Sequence, residues 1–175
     1  MAKIDNIDRP TDAAFLLFHY AENINGITKV QKLFFLIENE TRFGANYSDV
    51  IKLGFRPYKM GPFSPEVYKQ VELLLSMDAI EASPASGSSS EGFELRSIEP
   101  ETGSEGLSHK SFRTTEKGHK IGAALSNILS KEEVKDMRKK VEYYNSMPLR
   151  QLLEYVYKNY DEMTDESEIK EEVLQ

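Results

Sequence analysis

The segment from residue 53 to residue 63, LGFRPYKMGPF, restricts the fold more than any other part of the chain, because it holds two prolines and two glycines. The residue before Pro57 is disfavoured in the helical region and therefore extends. Gly61-Pro62 favours a turn. Ser64 then supplies an N-cap side chain, and Pro65 suits the first position of a helix. The segment predicts an extended stretch, a turn and an abrupt helix start.

Apolar residues repeat at helical spacing on both sides of this segment. The pattern predicts helices over residues 13–23, 29–43, 66–78, 116–129, 131–144 and 148–160. Several starts carry cap residues: Thr11 or Asp12 for the first helix, Thr28 for the second, Thr115 for the fourth and a capping box, Ser130-x-x-Glu133, for the fifth. Gly44 is a typical stop for the second helix.

Short strands are expected at residues 80–82, 93–98 and 110–115. The stretches 83–92 and 101–108 are too rich in serine and glycine to pack, so they are predicted to be mobile loops.

The order of these elements predicts an α+β, mostly helical fold with a winged helix-turn-helix-like core. In this interpretation residues 64–78 are the third helix, and residues 80–115 form an elongated wing hairpin with flexible loops within 83–108. The core domain spans residues 1–129, a C-terminal helical hairpin at 130–160 packs on it, and the acidic tail at 161–175 is expected to fray. Element order alone also fits other α+β folds.

Composition excludes several classes of function. The 175 residues include no cysteine, which removes disulfide frameworks, thiol catalysis, cysteine-type zinc sites and iron–sulfur clusters. The first residues lack the apolar segment of a signal peptide, and no apolar run approaches the roughly 20 residues of a membrane span. We expect a cytoplasmic protein that does not contact a membrane.

The net charge of −7 is unevenly distributed. Residues 64–108 hold two basic and nine acidic side chains, whereas residues 109–140 hold nine basic and four acidic ones. This excludes a uniformly basic nucleic-acid-binding surface but leaves a local basic patch open. The simpler interpretation is a solvated face on the fifth predicted helix, formed by Lys131, Lys135, Arg138, Lys139 and Lys140.

No pattern of catalytic or ligand-binding residues points to an enzyme. The histidines at 19, 109 and 119 lack the i, i+4 spacing of a helical zinc site, and both common phosphate-binding glycine motifs are missing. Ser64 has no G-x-S-x-G context and is better explained as a helix cap. Glu133-Val134-Lys135 has the acid-x-lysine spacing that nucleases place on a strand, but it falls on a predicted helix. We expect no enzyme activity, no metal and no cofactor.

An aromatic and basic cluster around the Gly-Pro turn is the first candidate binding surface. It suits a protein partner and consists of Arg56, Tyr58, Lys59, Met60 and Phe63. The alternative is that Tyr58 and Phe63 fill the core while Arg56 and Lys59 stay solvated.

The third predicted helix is expected to expose Glu66, Lys69, Gln70 and Glu72. Its two acids would face phosphates at an electrostatic cost, so this helix is a poor DNA reader. Better phosphate-binding candidates lie near the returning strand and the helix after it: Lys110, Arg113, Lys117 and Lys120.

Two motifs, KVQKLFFL at 29–36 and FRPYKMGPFSPEVY at 55–68, resemble the K-L-Q-K-L-x-Y/F … Y-G-P-x-x-P-x-V-Y pattern of the Panacea domain. That domain includes SocA-like antitoxins and phage-associated GepA-type proteins. The variant G-P-F-S, the T-E-K-G at 115–118 and the ending YNSMPLRQLLEYVYKNYDEMT at 144–164 are closest to the YwgA-like group of prokaryotic winged-helix proteins. Met60 departs from the pattern, because Panacea members usually have tyrosine there.

The resemblance implies a protein that neutralises a cognate toxin by direct contact or by delivering it to a protease, and it supplies no catalytic residues. We therefore expect a non-enzymatic prokaryotic interaction module, antitoxin-like or regulatory, with a protein partner such as a toxin. The alternative is a DNA-binding winged-helix transcriptional regulator that uses the basic residues near the wing. A homodimer also stays open, because the leucine and tyrosine stripe at 149–160 either closes the core or forms a dimer seam.

Overall fold

The computed structural model describes residues 6–85, 107 and 110–174. Its helices are α1 (Pro10–Ala21), α2 (Ile27–Glu40), α3 (Arg42–Asn46), α4 (Pro65–Ser76), α5 (Glu116–Ser126), α6 (Lys131–Asn145), α7 (Leu149–Asn159) and α8 (Lys170–Leu174). Its strands are β1 (Asn23–Asn25), β2 (Arg56–Tyr58), β3 (Gly61–Phe63), β4 (Ile80–Pro84) and β5 (Lys110–Thr114). The α+β, mostly helical class is confirmed. The strand predicted at 93–98 and most of the loops predicted at 83–92 and 101–108 lie outside the described residues.

Helix starts follow the cap signals closely. Thr115 and Ser130 cap α5 and α6 as predicted, and Ser64 caps α4, where its hydroxyl accepts the Glu66 N–H. At α1 the predicted cap is wrong by two or three residues, because Arg9 is the N-cap and Pro10 already occupies the first helical position. Asp12 instead stabilises the start from inside the first turn, where its carboxylate accepts the Asp8 N–H at 3.0 Å.

The second helix ends earlier than Gly44. It stops at Glu40, and Thr41 caps the short helix α3, in whose middle Gly44 lies. A Cβ atom at Gly44 would lie 2.3 Å from the Ile37 carbonyl oxygen. Gly44 is therefore required by the close approach of α3 to the end of α2, and not by a helix stop. Thr28, predicted as the cap of α2, lies inside this helix, which begins at Ile27 after Gly26.

Three strands form an antiparallel sheet in the order β1-β5-β4. β5 lies in the centre, with Phe112 opposite Ile24 of β1 and opposite Ala82 of β4. Phe112 and Ile24 are fully buried, so this face of the sheet covers the core. The strands predicted at 80–82 and 110–115 are confirmed, whereas β1, only three residues long, was not expected.

A second, two-stranded sheet is the hairpin of β2 and β3, in which Tyr58 pairs with Gly61. The turn therefore lies at Lys59 and Met60, just before the predicted Gly61-Pro62. Gly61 opens β3 with a φ of 94°, and a Cβ atom there would lie 2.8 Å from the ring of Tyr157 on α7. Both the backbone angle and the aromatic neighbour require glycine.

Helix α1 is the centre of the core. Nine of its 12 residues are buried, and it packs against α2, α4, α5 and α6. The two glycines inside α5 permit its close approach: a Cβ atom would lie 2.0 Å from the Ala79 carbonyl oxygen at Gly118 and 2.5 Å from the His19 Cβ at Gly122. Their cost in helix propensity is thus offset by packing.

Residues 161–174 pack on the fold. A 3-10 turn at Asp161–Thr164 precedes α8, which contacts α7, and Thr164, Ile169 and Val173 are buried. The Glu168 N–H donates to the Lys59 carbonyl at the tip of the β2–β3 hairpin, at 2.8 Å. The expected frayed tail is therefore wrong for these residues. The acids face solvent, while Ile169 and Val173 reach the core.

Gly118→Ala tests the approach of α5 to Ala79. We expect it to lower the free energy of unfolding by about 1–3 kcal/mol, although alanine favours helices, because the added methyl group meets a backbone carbonyl that cannot rotate away. Urea unfolding measures the change. Lys120→Ala, at an exposed position of the same helix, is the control and should stay within about 0.5 kcal/mol of the parent. A Gly118→Ala protein as stable as the parent would contradict the close approach.

Candidate functional site

Two buried polar residues of α2 hold the segment that leads into α4. The Gln31 side-chain amide donates to the Ser64 carbonyl at 2.9 Å and accepts the Ser64 N–H at 3.0 Å. The Lys32 Nζ donates to the Pro62 carbonyl at 3.1 Å. Gln31 and Lys32 are both fully buried. The motifs KVQKLFFL and GPFSP therefore meet in space, and their polar residues have a structural role.

The cluster predicted around the Gly-Pro turn is divided between core and surface. Met60 and Phe63 are buried, so their predicted place on a partner-binding surface is wrong. Phe63 packs against Tyr58 and Tyr68, with ring centroids 5.0 and 5.3 Å apart. The adjoining strand residue Tyr58 is half-buried. These aromatic rings anchor the hairpin under α2 and α4, which is the alternative that the sequence left open.

The two basic members of the cluster stay in solvent. Arg56 and Lys59 are exposed, and the Lys59 Nζ lies 5.7 Å from the centre of the Tyr58 ring. Arg56 pairs across the ladder with Phe63, one residue before the Ser64 cap of α4. The hairpin thus places the exposed residue Arg56 opposite the residue that precedes the cap of α4.

After its exposed first residue, Pro65, helix α4 exposes four residues, called the α4 face below: Lys69, Glu72, Leu73 and Ser76. Leu73 is 41% exposed. Gln70 was expected on this surface, but it is buried, accepts the Thr11 hydroxyl at 2.7 Å and donates to Glu66 at 2.9 Å. The rotation of the helix needed to bury Val67, Val71 and Leu74 also turns Gln70 inward.

Two of the four basic residues predicted near the wing, Arg113 and Lys120, lie beside acids. Arg113 is exposed on β5 and pairs across the ladder with Glu81. Together with Glu22 they line an open groove of about 560 Å³ over the outer face of the sheet. The Lys120 ammonium forms an ion pair with Glu116 at 3.4 Å. These neighbours reduce the positive potential that a phosphate would meet.

The other two residues of that predicted set differ in exposure: Lys110 is half-buried and Lys117 is exposed.

His19 of α1 and His119 of α5 form a close pair, with their Nδ1 atoms 3.2 Å apart. Burial, the charge of His119 and the charge of Arg138 hold the pKa of His19 below its usual value. Among the described residues, no three histidine, aspartate or glutamate side chains are grouped so as to hold a metal ion. His109 lies outside those residues. The pair is better explained as a packing contact between α1 and α5 than as a ligand set.

Sequence reasoning missed one polar cluster completely. Three tyrosine hydroxyls donate to the carboxylate of Glu40: Tyr144 at 2.5 Å, Tyr155 at 2.8 Å and Tyr160 at 2.6 Å. Burial and the carboxylate raise the pKa of Tyr144 and of Tyr160 above the usual range, so both remain hydrogen-bond donors. These hydrogen bonds connect α6, α7 and the residue after α7 to the end of α2. Partners more than 100 residues apart leave no local signal in the sequence.

Glu133 also has a structural role. It completes the capping box of α6 and accepts the Asn46 side-chain amide at 3.0 Å. The acid-x-lysine spacing at Glu133 and Lys135 therefore reflects a helix start.

Comparisons with protein-family models, with curated proteins and with solved structures find no match. In the part of the chain that the structure describes, no helix combines the length and the hydropathy needed to cross a bilayer.

Gln31→Met tests the contact between α2 and the α4 start. Methionine matches the volume of glutamine but leaves the buried Ser64 N–H without its partner, so we expect a loss of about 2 kcal/mol in the free energy of unfolding. Urea unfolding measures it. Gln151→Met, at an exposed position of α7, is the matched control and should be nearly neutral. Equal stability of the two variants would show that the Gln31 amide contributes nothing.

His19 predicts a pH dependence of stability. Because its pKa is lower in the folded chain than in the unfolded one, its contribution is complete above about pH 6.5 and decreases as the pH falls below that value. The urea concentration at the unfolding midpoint of the parent should therefore decrease as the pH is lowered from about 7 to about 5.5. His19→Asn should show a smaller decrease over the same interval. An identical decrease in both proteins would assign the effect to other groups.

Proposed function

We propose that this chain is a non-enzymatic prokaryotic interaction module, antitoxin-like or regulatory, that binds a protein partner through the α4 face. The observation that carries this proposal is the chemistry of that face. It combines an exposed leucine with acidic and basic residues, on the helix that a winged-helix DNA reader would place in the major groove.

The exposed leucine favours a protein partner over DNA. In the described residues the large apolar side chains exposed to this degree are Leu73, Tyr143 and Leu174. Leu73 lies between Lys69 and Ser76 on a rigid helix, so an apolar anchor is surrounded by polar residues. That arrangement is typical of the centre and rim of a protein interface.

The electrostatics of α4 point in the same direction. Its single exposed base, Lys69, is 3.8 Å from the carboxylate of Glu66. Glu72 is exposed on the same side. With Gln70 turned inward, the helix presents no side-chain amide for base recognition on its exposed face, and its acids would oppose phosphates.

The strand order supports a winged-helix architecture. β1 lies between α1 and α2, and it pairs with β5, which also pairs with β4 after the third long helix. A winged helix has this arrangement, with β4 and β5 as the strands of the wing. However, 24 residues separate Glu40 from Pro65, whereas a DNA-binding helix-turn-helix joins its helices with a 3–4-residue turn. The inserted α3 and β2–β3 hairpin favour a scaffold adapted to another partner.

The resemblance to the Panacea domain and to YwgA-like proteins is consistent with this proposal. Its motif residues Gln31, Lys32 and Ser64 are used in buried hydrogen bonds that hold the fold together, which leaves the exposed α4 face available to a partner. Met60, the residue that departs from the pattern, is buried and does not alter that surface.

Leu73→Asp tests the α4 face. The tagged protein, added to a lysate of the native cells and treated with nuclease, should retain a protein partner at stoichiometric ratio. Leu73→Asp should lower the affinity for that partner at least about tenfold, because it places a charge on the apolar anchor. Isothermal titration with the isolated partner measures the change.

Tyr143→Asp is the control, because it replaces another exposed apolar side chain, on α6, with the same charge. Equal binding by Leu73→Asp and the parent would contradict the proposal.

Recovery of DNA that is lost on nuclease treatment would favour the alternative function, a DNA-binding transcriptional regulator. In that case the double charge reversal Lys117→Glu with Lys120→Glu should weaken DNA binding and flatten its salt dependence.

A further inference from the structure

A second surface is separate from the α4 face and has a different chemistry. The end of α5 and the first half of α6 enclose an open groove of about 700 Å³. Its lining residues are Ser126, Asn127, Leu129, Lys131, Val134, Lys135 and Arg138. Three of these are basic and none is acidic, although the whole chain carries a net charge of −7. We call this surface the α6 groove.

The three bases form no ion pairs within the described residues. Other residues of α6 do form polar contacts. The Asp136 carboxylate forms an ion pair with Lys140 at 3.0 Å and accepts the Arg42 backbone N–H at 2.8 Å. Glu133 is held in the capping box. Glu133 and Asp136 are thus directed to the contact of α6 with α3, whereas the exposed acid Glu132 lies outside the lining and the three bases are left along the groove.

This arrangement is unfavourable for α6 alone. Lys131 and Lys135 are four residues apart, and Lys135 and Arg138 are three apart, so like charges are neighbours on adjacent turns. Lys131, Lys135 and Arg138 are all exposed. An anionic ligand that bridges adjacent turns would relieve this repulsion.

Arg138 is held in position by an aromatic ring of α1. The Arg138 guanidinium lies 5.0 Å from the centre of the Tyr20 ring, in cation–π geometry. The Tyr20 hydroxyl is in turn hydrogen-bonded to Ser126, at 2.6 Å. The Arg138 side chain therefore packs on a buried tyrosine ring at the edge of the groove. Less side-chain freedom is lost when such a preorganised group binds.

The lining also indicates which anion fits. Val134 is half-buried and provides apolar surface beside the bases, next to the buried Leu129. The lining has no aromatic ring on which a nucleic-acid base would stack. A bare phosphate backbone would leave the exposed part of the Val134 side chain without an apolar partner. An amphipathic helix with carboxylates three or four residues apart matches both the spacing of the bases and the apolar side chains.

We propose that the α6 groove binds an acidic amphipathic helix of a protein partner. Its carboxylates lie against Lys131, Lys135 and Arg138, and its apolar side chains contact Leu129 and Val134. The proposal is independent of the α4 face and concerns a second contact surface of the module.

The test uses the full chain and a fluorescein-labelled synthetic helix, with glutamates at alternating spacings of three and four residues beside a stripe of leucines. Fluorescence anisotropy measures its dissociation constant. A second peptide has the same composition, but its glutamates are distributed around the helix. The first peptide should bind several-fold more tightly, because only its carboxylates match the spacing of the bases.

Variants on one helix locate the site. Lys135→Glu should weaken binding roughly tenfold, since it places a repulsive charge inside the groove. Lys139→Glu makes the same change in net charge on the same helix but outside the lining, and should change binding less than about twofold. Lys131→Glu provides a second groove variant. Leu73→Asp should bind the peptide as the parent does, which separates this site from the α4 face.

Three results would overturn the proposal. Equal weakening by Lys135→Glu and Lys139→Glu would indicate attraction by the net charge alone. Equal affinity for the two peptides would exclude a matched helix. Tighter binding of a single-stranded DNA oligonucleotide than of the peptide, sensitive to Lys135→Glu, would assign the groove to nucleic acid.

Discussion

The rest of the structure depends on the buried hydrogen bonds between α2 and the segment that precedes α4. A fully buried lysine and a fully buried glutamine are costly unless their polar groups are hydrogen-bonded. Lys32 and Gln31 meet this requirement with the backbone of Pro62 and Ser64. Pro62 lies in β3 and Ser64 directly follows that strand, so the β2–β3 hairpin carries these backbone groups to α2. Hairpin formation and the burial of α2 therefore stabilise each other, and the start of α4 is fixed by the same hydrogen bonds.

The position of α4 then determines the chemistry of its exposed face. Because Ser64 is held from both sides, α4 begins at Pro65 with a fixed rotation. That rotation places Gln70 against Thr11 of the central helix and leaves Leu73 in solvent. The opposite end of the hairpin is restrained as well, by the hydrogen bond between Glu168 and Lys59. A surface presented by α4 is consequently rigid, which lowers the entropic cost of binding.

Local signals in the sequence predicted local structure well. The caps at Ser64, Thr115 and Ser130 act through hydrogen bonds within a few residues, so the sequence alone contains both partners. Gly44 and Gln70 were misjudged because their roles depend on a contact with another element: the Ile37 carbonyl in one case and Thr11 in the other. For the same reason the sequence alone did not decide which members of the cluster around the turn are buried, since the burial of Met60 and Phe63 depends on where α2 and α7 lie.

The distribution of charge shows how the fold creates surfaces that composition hides. A chain with a net charge of −7 would be expected to repel acidic partners. Yet two acids of α6, Glu133 and Asp136, are used in its cap and in its contact with α3, so the bases of the helix dominate the field along the α6 groove. On α4 the opposite holds, because Glu66 neutralises Lys69 and leaves an apolar anchor in a nearly neutral setting. One small fold thus presents two surfaces that differ in charge and in apolar character and share no residues, because each is shaped by the acids that the fold withdraws from it or leaves on it.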